Sequence, residues 1–221
     1  MGIYLMNMYR SPNIGIYAKA NEHFILLPKS LAPTKIQKFS SLLGVKPVGT
    51  SIGGSRLIGS LVVMNSYGVL VSRFADDEEI NIIKENTNLP VERVPFKYTS
   101  IGNLIAANDY GAVVSKILPR FVRDLVEKVL NVPTKAMSIS SYPQVGSMIV
   151  ASNNGAVIHP SASQSEIFQV ANILKVDVEP CTVNGGVPYV SSGILVNSRN
   201  AIVGTLTSGS ELMILSRAFK L

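Results

Sequence analysis

The sequence contains the same pattern five times. Short polar turns begin at residues 21, 65, 108, 152 and 197, so successive turns are separated by 43 to 45 residues. The clearest copies are Asn65-Ser66-Tyr67-Gly68 and Asn108-Asp109-Tyr110-Gly111. A repeat of this length that extends over the whole chain predicts an architecture of five equivalent units. If the units close into a ring, equivalent positions of all five meet around one axis.

Each unit has the pattern of two strands, one helix and a third strand. In the second unit, apolar runs at residues 61–64 and 69–71 flank the polar turn, which predicts a β-hairpin. The acidic run 76–79 favours a helix start, and residues 91–96 predict the third strand. In the first unit, residues 34–43 carry the corresponding helix.

The fifth unit ends at Leu221, just after its helix, without a third strand of its own. Residues 3–9 precede the first unit and are predicted to supply that strand, which closes the ring and removes exposed sheet edges. A four-stranded propeller of the Trp-Asp type has the same repeat length, but its units lack helices and this chain contains no Trp. We therefore predict a single domain over residues 1–221, folded as an α/β ring of five units.

Composition argues against several classes of protein. Cys181 is the only cysteine, so no internal disulfide is expected, and the two histidines lie in different units, so we expect neither a metal site nor a cofactor. No apolar run approaches the roughly 20 residues of a membrane span, and residues 1–6 lack the basic residues of a leader, which predicts a cytoplasmic protein. The net charge of +6 comes from scattered Lys and Arg and leaves a general RNA-binding ring open as a hypothesis.

The best candidate for a binding surface is a two-residue step near the start of each unit. Gly or Ser occupies its first position, whereas the second position varies, which indicates that packing does not dictate it. These second residues are predicted to form a patch on one face, at the start of the first hairpin strand: Ile16, Ser60, Asn103, Ser147 and Ser192. The stretch 136–174 contains a single charged residue, Glu166, and such a polar but uncharged surface suits contact with protein better than contact with phosphate.

An enzymatic hypothesis also has to be weighed, because five-unit α/β rings include enzymes that modify guanidinium groups with a Cys nucleophile, a His and carboxylates. Cys181 and His159 are the candidates for the first two roles, and a nucleophilic Cys needs a base within reach and a lowered pKa. Cys181 lies in a strand-like segment, and a buried, unreactive thiol is the simpler interpretation. We therefore expect no catalytic residues.

Several separate motifs occur in order at matching repeat positions. They are Ser51-Ile52-Gly53-Gly54-Ser55-Arg56-Leu57-Ile58-Gly59, Gly102-Asn103 with Asn108-Asp109-Tyr110, Thr182-Val183-Asn184-Gly185-Gly186, and Glu211-Leu212 with Phe219-Lys220-Leu221. With these motifs the chain resembles the initiation factor six family of archaea and eukaryotes. The resemblance extends over the whole chain, whose length fits the archaeal members.

The resemblance implies a pentein fold, a five-fold pseudo-symmetric α/β propeller, without enzymatic activity. Members of the family bind the intersubunit face of the large ribosomal subunit beside the sarcin–ricin loop, largely through one universal ribosomal protein, and block joining of the small subunit. Contacts with rRNA would add salt-dependent strength. By motif, Asn103 corresponds to a family contact residue, whereas Ser60 stands where eukaryotic members carry Arg. We accordingly expect a monomer whose partner is the large subunit, not DNA and not a membrane.

Overall fold

The computed structural model describes residues 2–221, which form five three-stranded sheets arranged in a ring. In every sheet the middle strand is antiparallel to the strand before the polar turn and parallel to the strand on its other side. One helix of 11 residues accompanies each sheet. The predicted ring of five α/β units is therefore confirmed.

The elements have the following bounds. The strands are β1 (Gly2–Met6), β2 (Lys19–Ala20), β3 (Phe24–Pro28), β4 (Lys46–Thr50), β5 (Val62–Met64), β6 (Val69–Ser72), β7 (Val91–Val94), β8 (Ile105–Ala107), β9 (Ala112–Ser115), β10 (Thr134–Met137), β11 (Ile149–Ala151), β12 (Ala156–Ile158), β13 (Val178–Pro180), β14 (Ile194–Val196) and β15 (Asn200–Gly204). The long helices are α1 (Pro33–Leu43), α2 (Asp77–Thr87), α3 (Arg120–Leu130), α4 (Gln164–Leu174) and α5 (Gly209–Phe219). Five short helical segments, which we call the central turns, precede the first hairpin strand of each unit: Ile14–Tyr17, Ile58–Leu61, Ile101–Asn103, Val145–Met148 and Val190–Ser192. Within residues 2–221, no helix has the length and apolar character needed to cross a membrane.

β1 closes the ring. It pairs in parallel with β15, from Gly2 opposite Asn200 to Met6 opposite Gly204, and so becomes the third strand of the fifth unit, as predicted. The strand ends at Met6 rather than at residue 9, because the chain turns back there and Met8 forms an isolated bridge with residue 11. The five sheets remain separate, so closure completes the fifth sheet without removing sheet edges, contrary to the expectation.

Neighbouring units contribute to each other's hydrophobic core. The residue two positions before the polar turn packs in the core of the following unit; in four units this residue is Val63, Ala106, Val150 or Leu195. Full burial of a Val or Leu side chain contributes about 1.5–3 kcal/mol. The units therefore stabilise one another, and we expect the ring to unfold as a whole.

The asparagine that begins most of the polar turns links each unit to the next. The side-chain amide of Asn65 donates to the carbonyl oxygens of Asn108 and Leu130, at 3.2 and 2.8 Å. Asn108 makes the equivalent bonds to Ser152 and Leu174, at 3.1 and 2.8 Å. Leu130 and Leu174 are the last residues of α3 and α4, whose final carbonyl groups have no partner within the helix. The repeated asparagine is therefore a structural feature.

Candidate binding face of the ring

The central turns lie on the face of the ring opposite the polar turns. The middle and third strands of each unit run away from the polar turn and end on this side, and the long helices begin here, so we call it the strand-end face. The sequence predicts that the two-residue steps lie at the start of the first hairpin strand. They lie instead in the central turns, one helical turn earlier.

Backbone contact between neighbouring units determines the first residue of each step. A Cβ added at Gly59 would overlap the carbonyl oxygen of Gly15, and the same holds for Gly102 against Gly59 and for Gly146 against Gly102. A Cβ added at Gly15 would likewise overlap the carbonyl oxygen of Ser191. These contacts therefore link the last central turn to the first. Only glycine permits such a close approach. The centre of the ring is consequently held tightly in place.

The second residues of the steps line one cavity at the centre of the strand-end face. This central depression has a volume of about 340 Å³, and its lining includes all five predicted residues: Ile16, Ser60, Asn103, Ser147 and Ser192. Ser147 donates a hydrogen bond to the carbonyl oxygen of Gln144 at 2.8 Å. The Ser192 hydroxyl is buried without a partner among residues 2–221, and the Ser60 and Asn103 side chains make no hydrogen bond within the same range. The depression therefore presents uncharged polar groups.

A second cavity opens beside the depression in unit three. This unit-three groove has a volume of about 500 Å³, and Asn103 lines both cavities. Tyr98 and Ile117, which are 41% and 40% exposed, form the apolar part of the groove. Lys97 lies over the Tyr98 ring, with its Nζ atom 5.0 Å from the ring centroid. An exposed aromatic ring beside an unpaired amide is typical of a protein-binding surface.

Unit three lacks a contact that units two, four and five share. In those units a glutamate in the first turn of the long helix accepts hydrogen bonds from the loop that precedes the central turn. Glu79 accepts from two successive loop amides at 2.6 and 2.9 Å, Glu211 from two at 3.0 and 2.9 Å, and Glu166 from one at 2.8 Å. The equivalent residue of unit three is the buried Val122, which has no acceptor to offer. The loop 95–100 is therefore not held against its helix in this way, and the groove lies beside it.

Positive charge is concentrated on one half of the strand-end face. The position eight residues after the first residue of each polar turn, just beyond the middle strand, is occupied in turn by Lys29, Arg73, Lys116, Pro160 and Thr205. The three cations are exposed and belong to units one to three. Arg73 also lies over the exposed Phe74 ring, with its guanidinium carbon 5.2 Å from the centroid. The face thus divides into a basic half and an uncharged half.

Cys181 and His159 do not form a catalytic pair. Each residue directly follows one of two parallel strands, β13 and β12, but each side chain has a different hydrogen-bond partner. The Cys181 thiol donates to the Thr182 carbonyl oxygen at 2.9 Å, and His159 Nδ1 accepts from the Ser161 amide at 3.1 Å. Burial, assisted by the charges of Glu211 and Glu179, raises the pKa of Cys181 to about 11, and burial lowers the pKa of His159. A nucleophilic thiol requires a lowered pKa instead.

The sequence pattern does not by itself predict the groove or the basic half of the face. Both leave a signal when the repeats are aligned. The cations Lys29, Arg73 and Lys116 each lie eight residues after the first residue of their polar turn, and Val122 stands where three other units carry Glu. Among residues 2–221, no group of three His, Cys, Asp or Glu side chains is placed to hold a metal ion.

The fold defines the class of the protein: a five-fold pseudo-symmetric α/β ring of the pentein type. A sequence profile of the eIF-6 family matches residues 3–218. Similar proteins named translation initiation factor 6 include those of Nitrosopumilus maritimus and Cenarchaeum symbiosum, which are 43% and 38% identical over 219 residues and 99% of both chains. That of Methanocaldococcus jannaschii is 39% identical over 216 residues, covering 95% of this chain and 94% of its own. The chain belongs to the eIF-6 family.

Proposed function

We propose that the protein is a translation factor that binds the intersubunit face of the large ribosomal subunit and prevents the small subunit from joining. Membership of the eIF-6 family supports this function, as do relatives that are named translation initiation factor 6. The observation that carries the proposal is the composition of the strand-end face, where an uncharged depression and a partly apolar groove meet at Asn103.

The proposed mechanism is steric. A standard protein–protein interface buries about 800 Å² of accessible surface on each partner. The protein exposes 9146 Å², so a contact of that size would use about a tenth of its surface. The glycine contacts fix the central turns relative to one another. The ring would therefore occupy the subunit surface as a rigid body and exclude the small subunit without any chemical step.

We assign the main contact with a ribosomal protein to Asn103 and the unit-three groove. The free amide of Asn103 can both donate to and accept from a partner's main chain, while Tyr98 and Ile117 would bury apolar surface. Tyrosine is among the residues that most often dominate binding energy at interfaces. The small side chains of Ser60 and Ser147 would allow the partner to approach the central turns closely.

We assign rRNA contacts to the basic half of the face. Lys29, Arg73 and Lys116 lie on three successive units and are exposed, so that they can meet phosphate groups. The logarithm of the association constant falls linearly with the logarithm of the salt concentration. Removing one phosphate-binding cation should reduce the magnitude of this slope by about one. Asn103 and the unit-three groove would then lie against the ribosomal protein near the sarcin–ricin loop. We further propose that the chain acts as a monomer and a single domain in the cytoplasm, with no cofactor and no catalytic activity.

Co-sedimentation with archaeal large subunits tests the proposal, using Asn103→Glu as the variant. A carboxylate at this position would have to be desolvated without a partner, and truncation of a hot-spot residue costs about 2 kcal/mol or more. We expect the Kd to rise by about 30-fold or more. The matched control is Asn172→Glu, which adds the same charge on the exposed outer side of α4 and should leave the Kd within about twofold of the wild type.

Both variants must retain the wild-type circular dichroism spectrum and melting temperature. Equal binding by Asn103→Glu and wild type would show that the strand-end face is not the contact surface. Absence of any wild-type binding to large subunits would reject the proposed function itself. A joining assay with both subunits then tests the steric mechanism, because a bound factor that leaves the yield of joined ribosomes unchanged contradicts it.

A further inference from the structure

A lysine lines the narrow channel at the centre of the ring. The first hairpin strands surround this central channel, which has a volume of about 50 Å³ and is bounded mainly by small and apolar residues such as Ala106, Val150 and Leu195. Lys19, in β2, is the one charged residue among those that line it. Lys19 is partly exposed, and an ammonium group between apolar walls needs a specific explanation, because withdrawing a charge from water is costly unless it is paired.

The position of Lys19 is apolar in every other unit. It lies two residues before the polar turn, where the other units carry Val63, Ala106, Val150 and Leu195. Those four side chains pack in the core of the following unit. The architecture therefore does not require a cation at this point, and a Val or Leu would be compatible with the ring.

No protein group of residues 2–221 pairs with the Lys19 ammonium. It takes part in no ion pair or side-chain hydrogen bond in that range. The carboxylates at the polar-turn end of the channel, Glu22 and Asp109, accept hydrogen bonds from Ser198 and Ser66, respectively. Burial alone lowers the pKa of Lys19 from 10.5 to about 8, with no charged neighbour contributing. At pH 7 about nine-tenths of the molecules thus retain the positive charge.

We propose that the central channel binds one small monovalent anion, such as chloride, beside the Lys19 ammonium. The anion supplies the counter-charge that the protein does not. The volume of about 50 Å³ exceeds the 10–15 Å³ that a single water molecule requires, and it excludes nucleotides and other organic anions of many atoms. This site is independent of the proposed contact with the ribosome.

Bromide, which replaces chloride and scatters anomalously, tests the site directly. Crystals of the wild-type protein grown with sodium bromide should show one anomalous peak in the central channel at contact distance from Lys19 Nζ. Crystals of Lys19→Met, grown in the same way, should lack that peak. A wild-type channel without bromide would overturn the proposal, and so would a peak of equal height in the variant.

Thermal unfolding provides the solution test, with chloride titrated against gluconate at constant ionic strength. Binding to the folded state alone raises the melting temperature, and we expect a rise of about 2 °C or more for wild type between 0 and about 500 mM chloride. Lys128→Met removes the same charge from an exposed site on α3 and should show the wild-type rise. Lys19→Met should show none. The same response in all three proteins would contradict a site at Lys19.

Discussion

Replacing Glu211 by glutamine should substantially lower the folding stability of the ring. Glu211 is only 5% exposed, and its carboxylate receives five hydrogen bonds from two segments, residues 182–186 and Ser208. The amides of Gly185 and Gly186 donate to it at 3.0 and 2.9 Å, the Thr182 hydroxyl at 2.7 Å, and the amide and hydroxyl of Ser208 at 2.7 and 2.9 Å. All of these partners are donors, so the NH₂ group of glutamine would face donors where an acceptor is needed.

The pKa of Glu211 gives the size of the effect. Burial raises this pKa, but the hydrogen bonds from Ser208, Thr182, Gly186 and Gly185 more than offset burial and hold it at about 2, against an ordinary value of 4.5. A difference of that size corresponds to about 3 kcal/mol of folding stability. Because the folded-state pKa is the lower one, this stability is present above pH 4.5 and is lost as the pH falls towards 2.

Urea denaturation of wild type and Glu211→Gln, at pH 7 and at steps down to pH 3, tests this reasoning. At pH 7 the variant should lose about 3 kcal/mol of unfolding free energy, and the difference should shrink as the pH falls below 4.5. Glu166→Gln is the matched comparison, because the partly exposed Glu166 holds its loop through a single amide, that of Ser140, and should lose less. A loss below about 1 kcal/mol for Glu211→Gln, or a difference that does not change with pH, would refute the reasoning.

Three further changes test the scaffold. Deletion of residues 2–10 removes β1 and the buried Met6 and Met8, and it should lower the melting temperature by about 10 °C or more; a wild-type melting temperature would contradict closure through β1. Cys181→Ser should cost about 1 kcal/mol in urea denaturation and leave subunit binding unchanged, because the thiol is buried and protonated. In urea denaturation without chloride, Lys19→Met should gain up to about 3 kcal/mol of unfolding free energy at pH 7. Because the lowered pKa of Lys19 makes the wild type more stable as the pH rises from 8 to 10.5, that gain should vanish over this window, and a constant gain would contradict a desolvated ammonium group.

The arrangement of strands and helices could be predicted from the sequence because the residues that determine it recur from unit to unit. Asn65 and Asn108 recur at the same place since each amide bonds the next unit, and that requirement applies all around the ring. Closure through β1 was also predictable, because the fifth unit has no third strand of its own and one apolar segment was left over. In each case the physical requirement is visible as a residue type at a fixed spacing.

The central turns could not be predicted in the same way, because their conformation depends on contacts between units. The segment Ile14–Tyr17 is four residues long, has no side-chain cap and includes two isoleucines, so local propensity does not indicate a helix. Its shape follows from the approach of Gly15 to Ser191 and of Gly59 to Gly15, across distances of many residues in the sequence. The five predicted binding residues were nevertheless brought together, because equivalent positions in a closed ring must meet around the axis.

The departures from the repeat carry the functional information. A position that serves the ring is under the same physical demand in every unit, whereas a partner meets the ring from one direction and has no five-fold symmetry. Val122, where other units have Glu, and Lys19, where other units are apolar, are departures of this kind. So are Lys29, Arg73 and Lys116, which have no counterparts in units four and five. Substitutions at the exposed departures should therefore alter binding with little change in melting temperature, whereas substitutions of Asn65 or Glu211 should do the reverse.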